Sequence, residues 1–90
     1  ARELAGIAAL NALAVGAAAA GSLGSLTVVH LTVFVSSAPD FTFQHLVADG
    51  ASEILVAVLG EAGRHPRTAV ATPVLPLDAP VEIQATFWVP

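Results

Sequence analysis

The sequence contains no cysteine and no lysine among its 90 residues. Without cysteine the fold cannot carry disulfides, and neither a thiol nucleophile nor a thiolate metal site is available. Three arginines face seven acidic residues, which gives a net charge of −4. A nucleic-acid surface needs clustered positive charge, so we expect no nucleic-acid partner. The missing cysteines favour a cytoplasmic protein.

Charged residues of either sign are also scarce, at 11% of the chain, whereas 56% is hydrophobic. Ninety residues form a single domain, residues 1–90, and a domain of this size has little interior in which to bury so much apolar surface. Part of that surface is therefore expected to meet other copies of the chain. We predict an oligomer.

No Asp, Glu, Lys or Arg occurs between Leu4 and Pro39, which raises a membrane-spanning helix as an alternative. Such a helix needs roughly 20 strongly apolar residues. The segment Leu4–Ala20 is mostly Ala and Gly, contains Asn11, and is followed by a Gly- and Ser-rich break. We predict a helix packed in a soluble protein, with no membrane partner.

The hydrophobic period changes in a regular order along the chain. Leu4, Ile7, Leu10/Asn11 and Ala14 recur at helical steps and predict an amphipathic helix whose small Ala surface can approach a sheet closely. The predicted elements, in order, are a helix at Arg2–Ala20, a central strand at Thr27–Ser36, helical stretches at Phe41–Val47 and Ala51–Ala62 interrupted at Asp49-Gly50, and strands at Thr68–Val74 and Val81–Val89.

This order predicts an α+β fold with two helices on one face of a sheet and a terminal hairpin. In the central strand, Val29, Leu31, Val33 and Val35 are expected to share one face. In the last strand, the set beginning with Val81 suits the helix-packed core. The set beginning with Glu82 and ending with Trp88 suits a subunit interface or a cleft.

Two charges stand among apolar residues near the C-terminus, Arg67 before Thr68-Ala69-Val70 and Glu82 between Val81 and Ile83. Each needs a partner or a chemical role. Arg67 is either an anion site or a structural ion-pair partner for an acid on a neighbouring chain. Glu82 is either a catalytic carboxylate or a solvated edge-strand residue.

The sequence resembles the YjgF/RidA family of reactive-intermediate deaminases, also known as the endoribonuclease L-PSP group. The residues that carry the resemblance are Thr32-Val33-Phe34-Val35, Asp40-Phe41, Gly63 to Val70, Leu75-Pro76-Leu77 and Val81-Glu82-Ile83.

The resemblance implies a chorismate-mutase-like fold whose mixed sheets assemble as a homotrimeric barrel with clefts between subunits. It also implies a hairpin before the first helix, which this sequence lacks. Because Ala1-Arg2-Glu3-Leu4 has the character of a helix interior, we expect that further residues precede it in the natural protein.

The activity implied by the resemblance is cofactor-free hydrolysis of 2-imino or enamine acids, such as 2-iminobutanoate and 2-iminopropanoate, to 2-keto acids and ammonia. Arg67 would bind the substrate carboxylate. Glu82 would position the attacking water, and the backbone at Thr68 and Ala69 would contact the nitrogen end. A non-catalytic trimer that binds small carboxylates or proteins is the alternative. A nuclease fits poorly, because no basic track exists.

The predicted hairpin, with Val74 opposite Val81, would separate Arg67 from Glu82 by roughly 20 Å at ~3.3 Å per residue. A shared site would then need Arg67 of one subunit and Glu82 of its neighbour. Asp49 and Glu53 are interpreted as helix-start residues that favour the dipole. His30, His45 and His65 lack ligand spacing, so we predict no metal.

Overall fold

The computed structural model describes residues 1 to 90 as two helices and three strands in the predicted order. They are α1 (Arg2–Ala20), β1 (Thr27–Ser36), α2 (Gln44–Leu59), β2 (Arg67–Thr72) and β3 (Val81–Trp88), with short 3-10 turns at Leu23–Ser25, Gly60–Gly63 and Pro76–Asp78. The radius of gyration is 12.9 Å, close to the ~12 Å expected for a compact domain of this length. The α+β class and the mixed sheet are confirmed.

The three strands form one sheet in the order β2-β1-β3. Strand β1 pairs in parallel with β2, from Leu31 opposite Arg67 to Ser36 opposite Thr72. It pairs antiparallel with β3, with Phe34 opposite Glu82 and Leu31 opposite Ala85. The predicted central position of β1 is confirmed, but the predicted hairpin between β2 and β3 is wrong.

The connection between β2 and β3 crosses the end of β1 instead of turning back on itself. Pro73 follows the last residue of β2 and has no N–H to donate, which agrees with the end of the ladder at Thr72. The end of β1 is bonded to both sides of this connection: Ser37 N–H donates to the Thr72 carbonyl at 2.9 Å, and Ser36 N–H donates to the Pro80 carbonyl at 3.0 Å. β3 therefore lies on the opposite side of β1 from β2.

The core lies between the helices and one face of the sheet. Leu31, Val33 and Val35 of β1 are buried there, and the β3 set beginning with Val81 packs against them as predicted. One detail differs, because a bulge between Val28 and His30 exposes Val29 and turns Val28 into the core.

Helix α1 packs through its small residues. Ala5, Ala9 and Leu13 are buried, whereas Leu4, Ile7 and Leu10 are each about half exposed. The Ala surface packs closely, but mainly against α2 and less against β3. The predicted approach to a sheet is therefore confirmed only in part, and the predicted apolar stripe of Leu4, Ile7 and Leu10 does not face the core. Gly21 ends the helix with φ 90°, and its N–H donates to the Ala17 carbonyl.

Helix α2 is continuous through Asp49-Gly50, so the predicted interruption is wrong. Gly50 is there for contact with α1: a Cβ at this position would lie 2.1 Å from the Arg2 carbonyl oxygen. A glycine inside a helix can thus mark a close helix crossing instead of a break.

By length and composition alone, α1 could cross a membrane, and 22% of its most apolar window is buried. One such helix is weak evidence, because core helices of soluble proteins meet the same criteria.

Candidate anion-binding site

Arg67 begins the edge strand β2 and points toward α2. Its Nη1 donates to Asp49 Oδ1 at 2.9 Å and to Ser52 Oγ at 3.1 Å. Its Nη2 donates to the His45 carbonyl at 3.3 Å. The side chain is 24% exposed, so the guanidinium is held by three α2 groups and still reaches solvent.

Arg67 forms its ion pair with Asp49 of the same chain. The ion pair considered from the sequence was with an acid of a neighbouring chain. Asp49 and Ser52 are three residues apart on α2 and therefore share a helix face. Asp49 does not lie at the helix start, so its interpretation as a dipole-favouring residue is wrong. Glu53 is also inside the helix, where it pairs with Arg2.

A second contact chain runs from Ser52 into the loop before β2. Ser52 Oγ lies 3.0 Å from His65 Nε2, and the other ring nitrogen, Nδ1, contacts the Gly63 carbonyl. A cavity of about 310 Å³ opens beside these groups, lined by Ser52, Val56, Arg64, His65 and Arg67. Two guanidinium groups and an imidazole make it suited to small anions.

Glu82 lies on the other face of the sheet. It is opposite Phe34, on the exposed side of β3, whereas Arg67 is opposite Leu31 and faces the helices. The two residues are three positions out of register and two strands apart, roughly 14 Å between backbones at ~3.3 Å per residue and ~4.8 Å per strand. The estimate of roughly 20 Å rested on the wrong pairing. The conclusion that one chain cannot place both on a small substrate remains.

Thr68 and Ala69 lie on opposite faces of β2. The Thr68 hydroxyl contacts His30 Nε2 at 3.2 Å on the uncovered face, and Ala69 packs toward the core. The Pro66 carbonyl accepts a hydrogen bond from Leu31 N–H, and the Thr72 carbonyl accepts one from Ser37 N–H. The even-numbered residues of β2 therefore direct their backbone N–H and C=O groups toward β1. The backbone of Ala69 therefore lies at the free edge of β2. Their substrate contacts stay predictions.

No three His, Cys, Asp or Glu side chains lie close enough together to hold a metal ion. His30 instead bridges Thr32 and Thr68 on the uncovered sheet face.

Sequence reasoning did not find that Asp49, Ser52, Arg64 and His65 surround Arg67. The three-residue spacing of Asp49 and Ser52 was the available clue. The predicted hairpin, with Val74 opposite Val81, instead puts Arg67 opposite Trp88 and away from α2.

Two solved structures have folds similar to that of this chain. No protein-family model matches the chain. A crystal structure of Atu1372 from Agrobacterium tumefaciens, a protein of unknown function, is similar over 98% of this chain and 57% of its own, with TM-score 0.93 and 42% identity. A crystal structure of a candidate endoribonuclease from Shewanella oneidensis MR-1 is similar over 92% of this chain and 55% of its own, with TM-score 0.86 and 31% identity.

Protein TCP17 of Trypanosoma cruzi is 52% identical over 59 residues, which are 64% of this chain and 37% of that protein. The chain thus spans little more than half of the two solved structures, and less of this relative. The likeness to the candidate endoribonuclease supports a fold like that of the YjgF/RidA group.

Proposed function

We propose that this chain belongs to a hydrolase that deaminates 2-imino and enamine acids in clefts between copies of a homotrimer. The supporting observation is Arg67, which α2 holds in place and which lines a cavity of about 310 Å³ together with Arg64 and His65. A substrate with one carboxylate and a small reactive carbon fits a site of this size and charge.

The donors of Arg67 suit a carboxylate ligand. A guanidinium has five N–H groups in a planar fork. The three hydrogen bonds to α2 use both hydrogens of Nη1 and one hydrogen of Nη2. The Nε–H and one Nη2–H remain for a carboxylate, and the bound α2 groups keep the fork from rotating.

In the proposed reaction, water adds to the imine carbon and its proton passes to Glu82. Glu82 gives this proton to the substrate nitrogen, which leaves a carbinolamine. Glu82 then moves the carbinolamine hydroxyl proton to the nitrogen, the C–N bond breaks, and ammonia and the 2-keto acid are released. Because Glu82 faces away from Arg67 in one chain, the carboxylate would come from a neighbouring copy. The backbone of Ala69, at the free edge of β2, would contact the nitrogen end beside Thr68.

A non-catalytic trimer that binds small carboxylates is the second candidate. The observation that favours it is the position of Arg67 and Glu82 on opposite faces of the sheet, because one chain then supplies the anion-binding group without a catalytic carboxylate beside it. A binder of this kind needs Arg67 but has no use for Glu82.

The name of the Shewanella relative raises ribonuclease activity, which the charges of this chain disfavour. Each of the three arginines is paired with an acid, since Arg2 contacts Glu53, Arg64 contacts Glu61 and Arg67 contacts Asp49. With a net charge of −4 there is no basic track for a phosphate backbone. We place the deaminase in the cytoplasm, with no nucleic-acid or membrane partner.

The test is ammonia release from enzymatically generated 2-iminopropanoate, compared among the unmodified chain, Arg67→Ala and Glu82→Gln. A deaminase loses turnover in both variants, and Glu82→Gln keeps its affinity for the 2-keto acid product. A binder shows no acceleration over buffer, and only Arg67→Ala loses affinity. No acceleration by an assembled trimer of the unmodified chain would overturn the deaminase proposal.

A further inference from the structure

Ser52 and His65 form a hydrogen-bonded pair that the deaminase reaction does not use. Ser52 Oγ lies 3.0 Å from His65 Nε2, and His65 Nδ1 contacts the Gly63 carbonyl. A carbonyl oxygen only accepts, so Nδ1 carries the proton of the neutral ring and Nε2 is left with its lone pair facing the Ser52 hydroxyl. This is the tautomer that a general base needs in order to activate a serine.

The carbonyl that orients His65 is fixed by packing. Gly63 is buried, and a Cβ at this position would lie 2.2 Å from the Leu55 carbonyl oxygen of α2. Only glycine lets the loop lie so close to the helix. The same helix carries Ser52, so the turn that orients the base is packed against the helix that carries the nucleophile.

A cation lies next to the Ser52 oxygen. Arg67 Nη1 is 3.1 Å from Ser52 Oγ, where it stabilises negative charge that develops on the serine oxygen. Arg64 lines the same cavity of about 310 Å³, and Val56 is its apolar wall. Arg64 contacts only Glu61, and both side chains are largely exposed. A substrate that fits this cavity is a small ester that carries a second, anionic group.

We propose that Ser52 is a nucleophile, His65 its general base, and that the cavity hydrolyses small carboxylate-bearing esters. Ser52 Oγ bonds to the acyl carbon while its proton moves to His65 Nε2. The ester C–O bond breaks and the leaving alcohol takes that proton. Water then gives a proton to Nε2 and displaces the acyl group as the acid, which restores Ser52. The reaction shares Arg67 with the proposed deaminase but needs neither Glu82 nor an imine.

The experiment treats the full chain with a fluorophosphonate probe and locates the adduct by peptide mass spectrometry. We expect a single adduct on Ser52. Ser52→Ala should abolish it, and His65→Ala should slow it at least ~100-fold, the usual scale of general-base catalysis. Ser22→Ala is the matched control, because Ser22 is exposed and contacts only the Ser25 hydroxyl. Added imidazole should restore part of the rate in His65→Ala, which a purely structural histidine would not allow.

Substrate choice is measured with 4-nitrophenyl acetate and the 4-nitrophenyl monoester of succinate. We expect faster hydrolysis of the succinate ester and loss of that preference in Arg64→Ala. The proposal is overturned if the adduct on the unmodified chain is absent from Ser52, or if His65→Ala reacts at the same rate while its circular dichroism is unchanged. Neither readout involves ammonia, so failure of the deaminase proposal is observed separately.

Discussion

Asp49 is the carboxylate that Arg67 contacts at 2.9 Å, and it competes with any carboxylate ligand for the same cation. Asp49→Asn keeps an acceptor oxygen at this position and removes the competing charge. An exposed unit charge at ~4 Å is worth ~1 kcal/mol in water, so we expect the Kd of a 2-keto acid to fall about fivefold. Isothermal titration calorimetry measures the change.

Asp40→Asn is the matched control, since Asp40 is exposed and in none of the ion pairs. It should leave the Kd unchanged. An unchanged or weaker affinity in Asp49→Asn would mean that Arg67 is a structural partner of α2 and not a ligand-binding group.

At the scale of elements, the crossing of α1 and α2 depends on the missing side chain of Gly50. A methyl group at this position would lie 2.1 Å from the Arg2 carbonyl oxygen, and backbone cannot move as a flexible side chain does. We expect Gly50→Ala to destabilise the fold by about 1–3 kcal/mol, despite the better helix propensity of alanine.

Thermal unfolding should show this as a fall in Tm of several degrees, roughly 4–8 °C per kcal/mol for a domain of this size. Gly24→Ala is the control, because a Cβ at Gly24 has no neighbour within 4 Å. A higher Tm in Gly50→Ala would show that α1 is not held against α2 by this contact.

The elements themselves were largely predictable, since they follow from local patterns. Alanine-rich helical spacing gave α1 its bounds at Arg2–Ala20, and β-branched residues gave β1 its bounds at Thr27–Ser36. Strand pairing was not predictable from the same patterns. Alternation in β3 assigned Glu82 to its correct face, but it does not say which strand lies beside β3.

The candidate site was only half predictable for the same reason. Arg67 stands out as a charge among apolar residues, whereas Ser52 and His65 acquire a role only when β2 runs parallel to β1 and brings Arg67 under α2. The contact between Arg67 and Ser52 therefore depends on the β1-α2-β2 connection and not on the local sequence. Gly50 was misleading in a different way. It predicted the end of a helical stretch, whereas it allows close contact between α1 and α2.

At the scale of the whole molecule, one face of the sheet has no helix over it. Trp88 is 59% exposed on this face, together with half-buried Phe34. If copies of the chain assemble through it, Trp88 is a large anchor of the kind that dominates interface energy. We expect Trp88→Ala to raise the dissociation constant of the trimer at least ~10-fold.

Light scattering coupled to size exclusion, over a dilution series, measures the dissociation. Val15→Ala is the control, since Val15 is exposed on α1, on the opposite side of the sheet. Equal dissociation of the two variants would argue against assembly through the uncovered face.

The last prediction follows from the opposite faces on which Arg67 and Glu82 lie. If an active cleft joins Arg67 of one copy to Glu82 of its neighbour, then Arg67→Ala and Glu82→Ala chains complement each other. In an equal mixture that assembles at random, half of the chains supply Arg67 and half supply Glu82, so about a quarter of the clefts hold both. We therefore expect about a quarter of the unmodified ammonia-release rate after the two inactive variants are unfolded and refolded together.

Separately refolded variants mixed just before the assay are the control and should remain inactive. If co-refolded trimers also remain inactive, the two residues do not meet across a subunit boundary. Glu82 would then be a solvated residue of β3, and Arg67 would serve a binding site alone.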